Sequence, residues 1–224
     1  MNIAIILFPG TNREHDMAMA LKQAGAKNVQ MVWHKETDLS NTDLIVLPGG
    51  FSYGDYLRCG AMGAHSPIMK EVVRKAEQGV RVFGVCNGFQ IMIEAGLLPG
   101  ALLQNSSLKF VCKNVNLKYE ASGGYLNEGD VITVPVAHGE GNYFANDDIL
   151  KRLEDHDSIA FRYCNDNGEY TDVSNPNGSI QNIAGIYNKD KTILGMMPHP
   201  ENATLDHQIN QSARPFFQNI LASL

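Results

Sequence analysis

Four kinds of pattern are missing from this chain of 224 residues, and each absence closes off a class of function. The cysteines Cys59, Cys86, Cys112 and Cys164 form no Cys-x-x-Cys pair, which argues against a zinc or thioredoxin-type site. Lysine and arginine are nowhere clustered, and 18 of them against 24 acidic residues leave a net charge of −6, so no basic face awaits a nucleic acid. No apolar run comes near the ~20 residues needed to cross a bilayer. No phosphate loop occurs, and Gly49-Gly50-Phe51-Ser52 lacks the Gly-x-Gly-x-x-Gly spacing of a dinucleotide site. The first residues, Met1 to Phe8, also lack the positive charge of a signal peptide and read as a strand. Cytoplasmic residence is the resulting expectation, with reduced thiols, of which all but Cys86 are expected to be inert packing residues. Neither a repeat nor a low-complexity linker divides the chain, so residues 1–224 read as one domain with one sizeable core.

What is present alternates strand and helix. Asn2–Phe8 is a continuous apolar run, as expected of a strand buried on both faces of a parallel sheet, and Val29–Trp33, Asp43–Leu47 and Val80–Val85 read as the second, third and fourth strands. Between them, Met17, Ala20, Leu21 and Ala24 recur at helical spacing before Gly25, and Ser66-Pro67 opens a helix to about Gln78, with Ser as N-cap. Beyond residue 100 the pattern changes. Lys109–Tyr119 alternates, and Val131–Val136, Ile159–Tyr163, Ile183–Tyr187 and Ile193–Met197 follow as antiparallel hairpins, before a closing helix at Arg214–Leu224. The expected fold is α/β: a doubly wound, mostly parallel sheet with helices on both faces and an antiparallel β extension.

Chemistry concentrates at Gly84-Val85-Cys86-Asn87-Gly88-Phe89-Gln90. A cysteine flanked by glycines where a strand turns into a helix is a nucleophile elbow: the turn strains the backbone, small neighbours permit it, and the helix N-terminus favours a thiolate. The same residues are also compatible with a buried structural cysteine beside a turn. The N–H of Asn87, next in the chain, can face a developing oxyanion, and Gly50, ending the third strand, can supply the second donor. Of seven histidines, His199 stands apart because Pro198-His199-Pro200-Glu201 ends an apolar strand, at the sheet edge where open α/β folds place their sites. Glu201, two residues on in an extended segment, can hold that imidazole in the required tautomer. Gln90, one helical turn after Cys86, and the loop beginning His138-Gly139 can line the same cavity, although both are compatible with plain surface roles.

Taken in order, Pro48-Gly49-Gly50, Gly84 to Gln90 and His199-Pro200-Glu201 resemble the motifs of the triad (class I) glutamine amidotransferases. The resemblance implies a flavodoxin-like fold, Cys86, His199 and Glu201 as the triad, Gly50 and Asn87 as oxyanion donors, and Gln90, His138 and Gly139 beside the substrate. Gly49 to Arg58, Asn105 to Cys112 and Ala137 to Gly141 look like the branch that supplies nitrogen to purine biosynthesis. In that branch a chain of this kind has no cofactor of its own. It delivers ammonia to a large synthetase subunit that uses ATP and magnesium, with a small third subunit, and the Phe51–Arg58 loop becomes a candidate contact surface. The alternatives are a glutaminase serving another amidotransferase and a freestanding γ-glutamyl thiol hydrolase.

Overall fold

The computed structural model describes all residues, Met1–Leu224. The first half runs β1 (Asn2–Leu7), α1 (Glu14–Gln23), β2 (Asn28–Trp33), β3 (Leu44–Leu47), α2 (Ala61–Ala64), α3 (Pro67–Glu77), β4 (Arg81–Val85) and α4 (Asn87–Glu94). The second runs β5 (Ala101–Leu103), β6 (Val111–Tyr119), β7 (Val131–His138), β8 (Asn142–Phe144), α5 (Asp147–Asp155), β9 (Ile159–Cys164), β10 (Ile183–Tyr187), β11 (Ile193–Met196) and α6 (Arg214–Ala222). Nine strands form one sheet in the order β2-β1-β3-β4-β11-β10-β9-β6-β7, while β5 and β8 pair separately.

From β2 to β11 every pairing is parallel, and from β11 to β7 every pairing is antiparallel. This corrects the expectation for the last strand. β11 forms a hairpin with β10, yet its other edge joins β4 in parallel, with Gly195 beside Gly84 and Met196 beside Val85. On the far side of β4, Leu47 of β3 is level with Gly84. The C-terminal ends of β3, β4 and β11 therefore lie side by side and point the same way, and these strands carry the three motifs.

Pleating explains how helices come to cover both faces. Successive side chains of a strand point to opposite faces. Phe83 packs edge-on against Phe216 and Phe217 of α6, while a Cβ on the next residue, Gly84, would meet Met92 of α4 at 2.2 Å. Sixty buried residues join into one apolar core that includes Phe83, Phe89, Phe216 and Phe217. Each large side chain so buried stabilises the fold by about 1.5–3 kcal/mol. In α3, Pro67 opens the first turn and Ile68, Met69, Val72 and Ala76 form the buried stripe. Ser66, the expected cap, makes no cap bond; its hydroxyl instead meets the Tyr53 hydroxyl at 2.9 Å. No helix is long and apolar enough to cross a membrane.

Candidate active site

Cys86 sits between β4 and α4 at φ 51°, ψ −109°, a left-handed conformation for a residue with a side chain. Such strain persists only where the surroundings impose it. Its N–H is held by Met196 O of β11 at 2.8 Å, and its carbonyl already accepts the first helical bond, from Gln90 N at 3.0 Å. The flanking glycines are needed for packing rather than for the turn, since neither has a positive φ. A Cβ on Gly88 would lie 1.8 Å from Leu47 O, so only glycine lets α4 press onto the end of β3.

On the neighbouring strand end, His199 Nδ1 donates to Glu201 Oε1 at 2.7 Å, and both side chains are buried. Glu201 lies in a 3₁₀ turn, Pro200–Asn202, not in extended chain, and reaches its histidine by folding back. Gln208 braces that turn, donating to Glu201 O at 3.1 Å and accepting from Thr204 N at 2.7 Å. A carboxylate only accepts, so the proton of this pair sits on Nδ1. The other ring nitrogen, Nε2, is buried without a partner. Burial alone would push this imidazole down, but the Glu201 carboxylate and the Cys86 sulfur outweigh it and hold His199 up at about 10. The sulfur is thus close enough to act on the ring by charge, without a settled hydrogen bond to Nε2. Gly49 makes room for the ring, since a Cβ there would touch His199 Cε1 at 2.8 Å.

The antiparallel half curls back over these strand ends. Pro135 O of β7 accepts His199 N at 2.9 Å, and Ala137 O lies 3.8 Å from the Cys86 sulfur. A cavity of about 260 Å³ opens above the sulfur, lined by Gly50, Gln90, His138, Gly139 and Glu140 among others. The N–H groups of Gly50 and Asn87 donate to no backbone acceptor. Gln90 lines the cavity with its amide committed: Nε2 donates to Glu140 O at 2.7 Å and Oε1 accepts from Asn87 Nδ2 at 3.0 Å. Both ring nitrogens of His138 are engaged, by Asn105 Oδ1 at 3.1 Å and by Asn177 Nδ2 at 3.5 Å. Burial, with the charge of His199 adding to it, pushes His138 down to about 4.

A family model described as a CobB/CobQ-like glutamine amidotransferase domain matches residues 1–219. Over the full length of both chains, the protein is 55% identical to the phosphoribosylformylglycinamidine synthase subunit PurQ of Rhodospirillum rubrum and 49% identical to that of Pelagibacter ubique. This chain belongs to the PurQ family of glutamine amidotransferases. A chain in the structure of PurLQS from Thermotoga maritima is 39% identical and superposes with a TM-score of 0.87, covering 99% of this chain and 98% of that one. A glutamine amidotransferase of Thermotoga maritima, 13% identical with a TM-score of 0.57 and covering 100% of this chain and 84% of that one, shares the fold alone.

In this PurQ-family chain, then, the structure brings together the residues expected as the triad and both expected oxyanion donors. It also places Gln90, His138 and Gly139 on the cavity wall, with the first two hydrogen-bonded into that wall. Sequence reasoning missed the wall's supports. Asn105 and Asn177, both fully buried, pin His138 and the backbone of Gly141, with Asn105 Oδ1 accepting from Gly141 N at 3.0 Å and Asn177 Nδ2 donating to Gly141 O at 2.7 Å. Asn105 opens a segment that carries the resemblance, but neither it nor Asn177 gave any sign of this supporting role beyond position in a turn that flanks a strand. The Asn87 side chain was missed as well: its Oδ1 accepts from Ser52 N at 3.1 Å, fastening the 51–55 loop to the start of α4. Cys112 is exposed rather than a packing residue. Cys164 is buried, and half-buried Cys59, beside Asp55 and Glu140, has its thiol pushed far up by burial first and those acids second.

Proposed function

We propose that the chain, acting as one domain over residues 1–224, is the glutaminase subunit of phosphoribosylformylglycinamidine synthase, with Cys86 as nucleophile. Because His199 is held up at about 10, its Nε2 already carries the proton given up by Cys86, and the Cys86 sulfur attacks the side-chain amide carbon of glutamine from that state. The carbonyl oxygen becomes an oxyanion held by the N–H groups of Gly50 and Asn87. Collapse breaks the C–N bond, and Nε2 returns the proton to the departing nitrogen, which leaves as ammonia. A γ-glutamyl thioester remains on Cys86. Water, deprotonated by Nε2, attacks it through the same oxyanion hole and releases glutamate. Glu201 fixes Nδ1 so that Nε2 faces the sulfur, and steadies the imidazolium present at rest and formed again when water is deprotonated.

The observation that carries this reading is the Glu201–His199 pair at 2.7 Å with a buried, unpartnered Nε2 beside the cavity that holds Cys86. In this reading the ammonia passes to a cytoplasmic synthetase that binds ATP and magnesium and amidates formylglycinamide ribonucleotide, with a small third subunit in the assembly. Support for such a partner lies at the cavity mouth. Phe51 and Leu108 expose apolar side chains there, and Tyr56 and Leu57 of the same loop as Phe51 are exposed too, the signature of a surface that another protein covers. The test is glutamine hydrolysis by the chain alone and after addition of the synthetase subunits, nucleotide and ribonucleotide. The expected result is slow hydrolysis alone and a large rise on assembly. Full activity in isolation would favour a freestanding thiol hydrolase instead.

A further inference from the structure

The turn between β1 and α1, Pro9–Arg13, makes no hydrogen bond to Cys86, His199 or Glu201. It grips the segment that carries the Gly50 donor. The carbonyl of Gly49 accepts from Asn12 N at 3.3 Å and Arg13 N at 3.2 Å. In a trans peptide the C=O and N–H lie in one plane and point in opposite directions. Pinning the Gly49 carbonyl toward α1 therefore turns the Gly50 N–H the other way, and Gly50 lines the cavity that holds Cys86. The next contacts extend the grip: Phe51 N donates to Gly10 O at 2.9 Å, and Tyr53 N to Pro9 O at 2.7 Å. Thr11 pairs with Gly50 as an isolated bridge, and its hydroxyl accepts from Phe8 N at 2.9 Å, holding the turn itself.

The approach is close enough to require glycine on both sides. A Cβ on Gly10, at φ +93°, would lie 2.2 Å from Phe51 O, and one on Gly50 would lie 2.7 Å from both Gly10 O and Thr11 Cα. From the opposite side, Asn87 Oδ1 holds Ser52 N at 3.1 Å. The segment is clamped between the first turn of the chain and the helix that carries the nucleophile.

We infer that the Gly10–Arg13 turn is a positioning element for the oxyanion hole: it fixes the orientation of the Gly49–Gly50 peptide so that the Gly50 N–H is set for the oxyanion before glutamine arrives. Two N–H donors on one carbonyl also polarise that peptide and make its N–H a better donor. The inference rests on the assignment of Gly50 as an oxyanion donor, and its test separates the two.

The variants are Gly10→Ala, which drives a Cβ into Phe51 O, and Arg13→Pro, which deletes one of the two pinning N–H groups. Each is measured in the chain assembled with its synthetase subunits for glutamine kcat and KM, for affinity toward the γ-aldehyde analogue of glutamine, and for the rate of Cys86 alkylation by iodoacetamide. The aldehyde forms a hemithioacetal that needs the oxyanion hole, whereas alkylation forms no oxyanion. The amide ¹⁵N and ¹H shifts of Gly50 in the isolated chain report the peptide's orientation. The expected result is a shifted Gly50 amide, a fall in kcat on the order of 10²-fold, an equal loss of aldehyde affinity, and KM and alkylation rate within about twofold of the parent. A Gly50 amide unmoved in both variants, or alkylation falling in step with kcat, would overturn the positioning role while leaving Gly50 as donor. A Gly50 amide that moves with kcat and aldehyde affinity unchanged would overturn the donor assignment itself, and the positioning role with it.

Discussion

The two halves of the sheet differ in what they bring to the site. The parallel half delivers the groups proposed for bond making: Cys86 from the end of β4, His199 and Glu201 beyond β11, and Gly50 beyond β3. The antiparallel half delivers a wall, built from the end of β7 and the loop through Gly141 and held by Asn105, Asn177 and Ser179. The difference follows from strand chemistry. Adjacent parallel strands end on one edge and there align residues far apart in sequence, whereas antiparallel strands return by short turns and alternate their exposed ends. The proposed catalytic groups therefore gather where three parallel ends meet, and the returning strands close the cavity around them.

This division can be broken or sharpened by substitution. The largest effect belongs to Cys86→Ala in the assembled enzyme, which is expected to abolish glutamine-dependent amidation and to spare amidation from added ammonia. Loss of both activities, or survival of both, would break the model of a separate ammonia donor. Next comes Glu201→Gln, expected to lower kcat on the order of 10³-fold with KM little changed, because the imidazole loses its orienting charge. A defect confined to KM would make Glu201 a wall residue like those of the other half. A smaller catalytic effect is expected from Asn105→Ala, where stability carries the loss. Removing a buried side chain that serves His138, Gly141 N and two carbonyls should cost about 3 kcal/mol by chemical denaturation, with kcat within about tenfold. If kcat collapsed while stability held, the wall would belong to the chemistry.

The smallest effect is a pH dependence. His138 is pushed down to about 4, below its ordinary 6.5, so the folded state resists its protonation. The unfolded chain binds that proton first, and stability is lost as pH falls from about 6.5 toward about 4. Part of that loss should vanish in His138→Asn, measured as the thermal midpoint across this window; an unchanged pH slope would remove His138 from the account. His199 behaves oppositely. Held up at about 10, it contributes stability that is complete below about 6.5 and fades as pH rises through about 10. A Glu201→Gln variant should therefore differ most from the parent at the acidic end of that range.

Legibility in the sequence follows the same division. β1, β3 and β4 announce themselves because strands buried on both faces are continuous apolar runs, and the elbow, Gly-Gly and His-Pro-Glu patterns are local in the chain. β5 and β8 were not legible, since three residues each make too short a signal and their pairing is set by distant partners. α5 also escaped. Only Leu150 and Leu153 are buried, and the telling feature was its start, where Asn146 accepts from Ile149 N at 2.9 Å ahead of Asp147 and Asp148. The loop after Gly50 hides its form completely: Tyr53, Asp55 and Leu57 all take positive φ, a choice imposed by tertiary bonds such as Tyr53 to His34 Nδ1 at 3.0 Å rather than by residue type. Asn105 and Asn177 look like any turn asparagine until their burial is seen.

Because β11 is the seam between the halves, it also dictates where evolution or an engineer can change the length of the chain. Ile193–Met196 keeps step with β4 on one edge and with β10 on the other. One residue added or removed between Ile193 and His199 would reverse the pleat and swing the imidazole to the wrong side of the sheet. In the hairpin just before it, Thr192 O still accepts from Val82 N of β4 and Lys191 Nζ meets Asp157, so only the exposed tip, Lys189 and Asp190, is free to grow or shrink. Natural variation in size should thus accumulate at that tip, while the offset of six positions from Ile193 to His199 stays fixed.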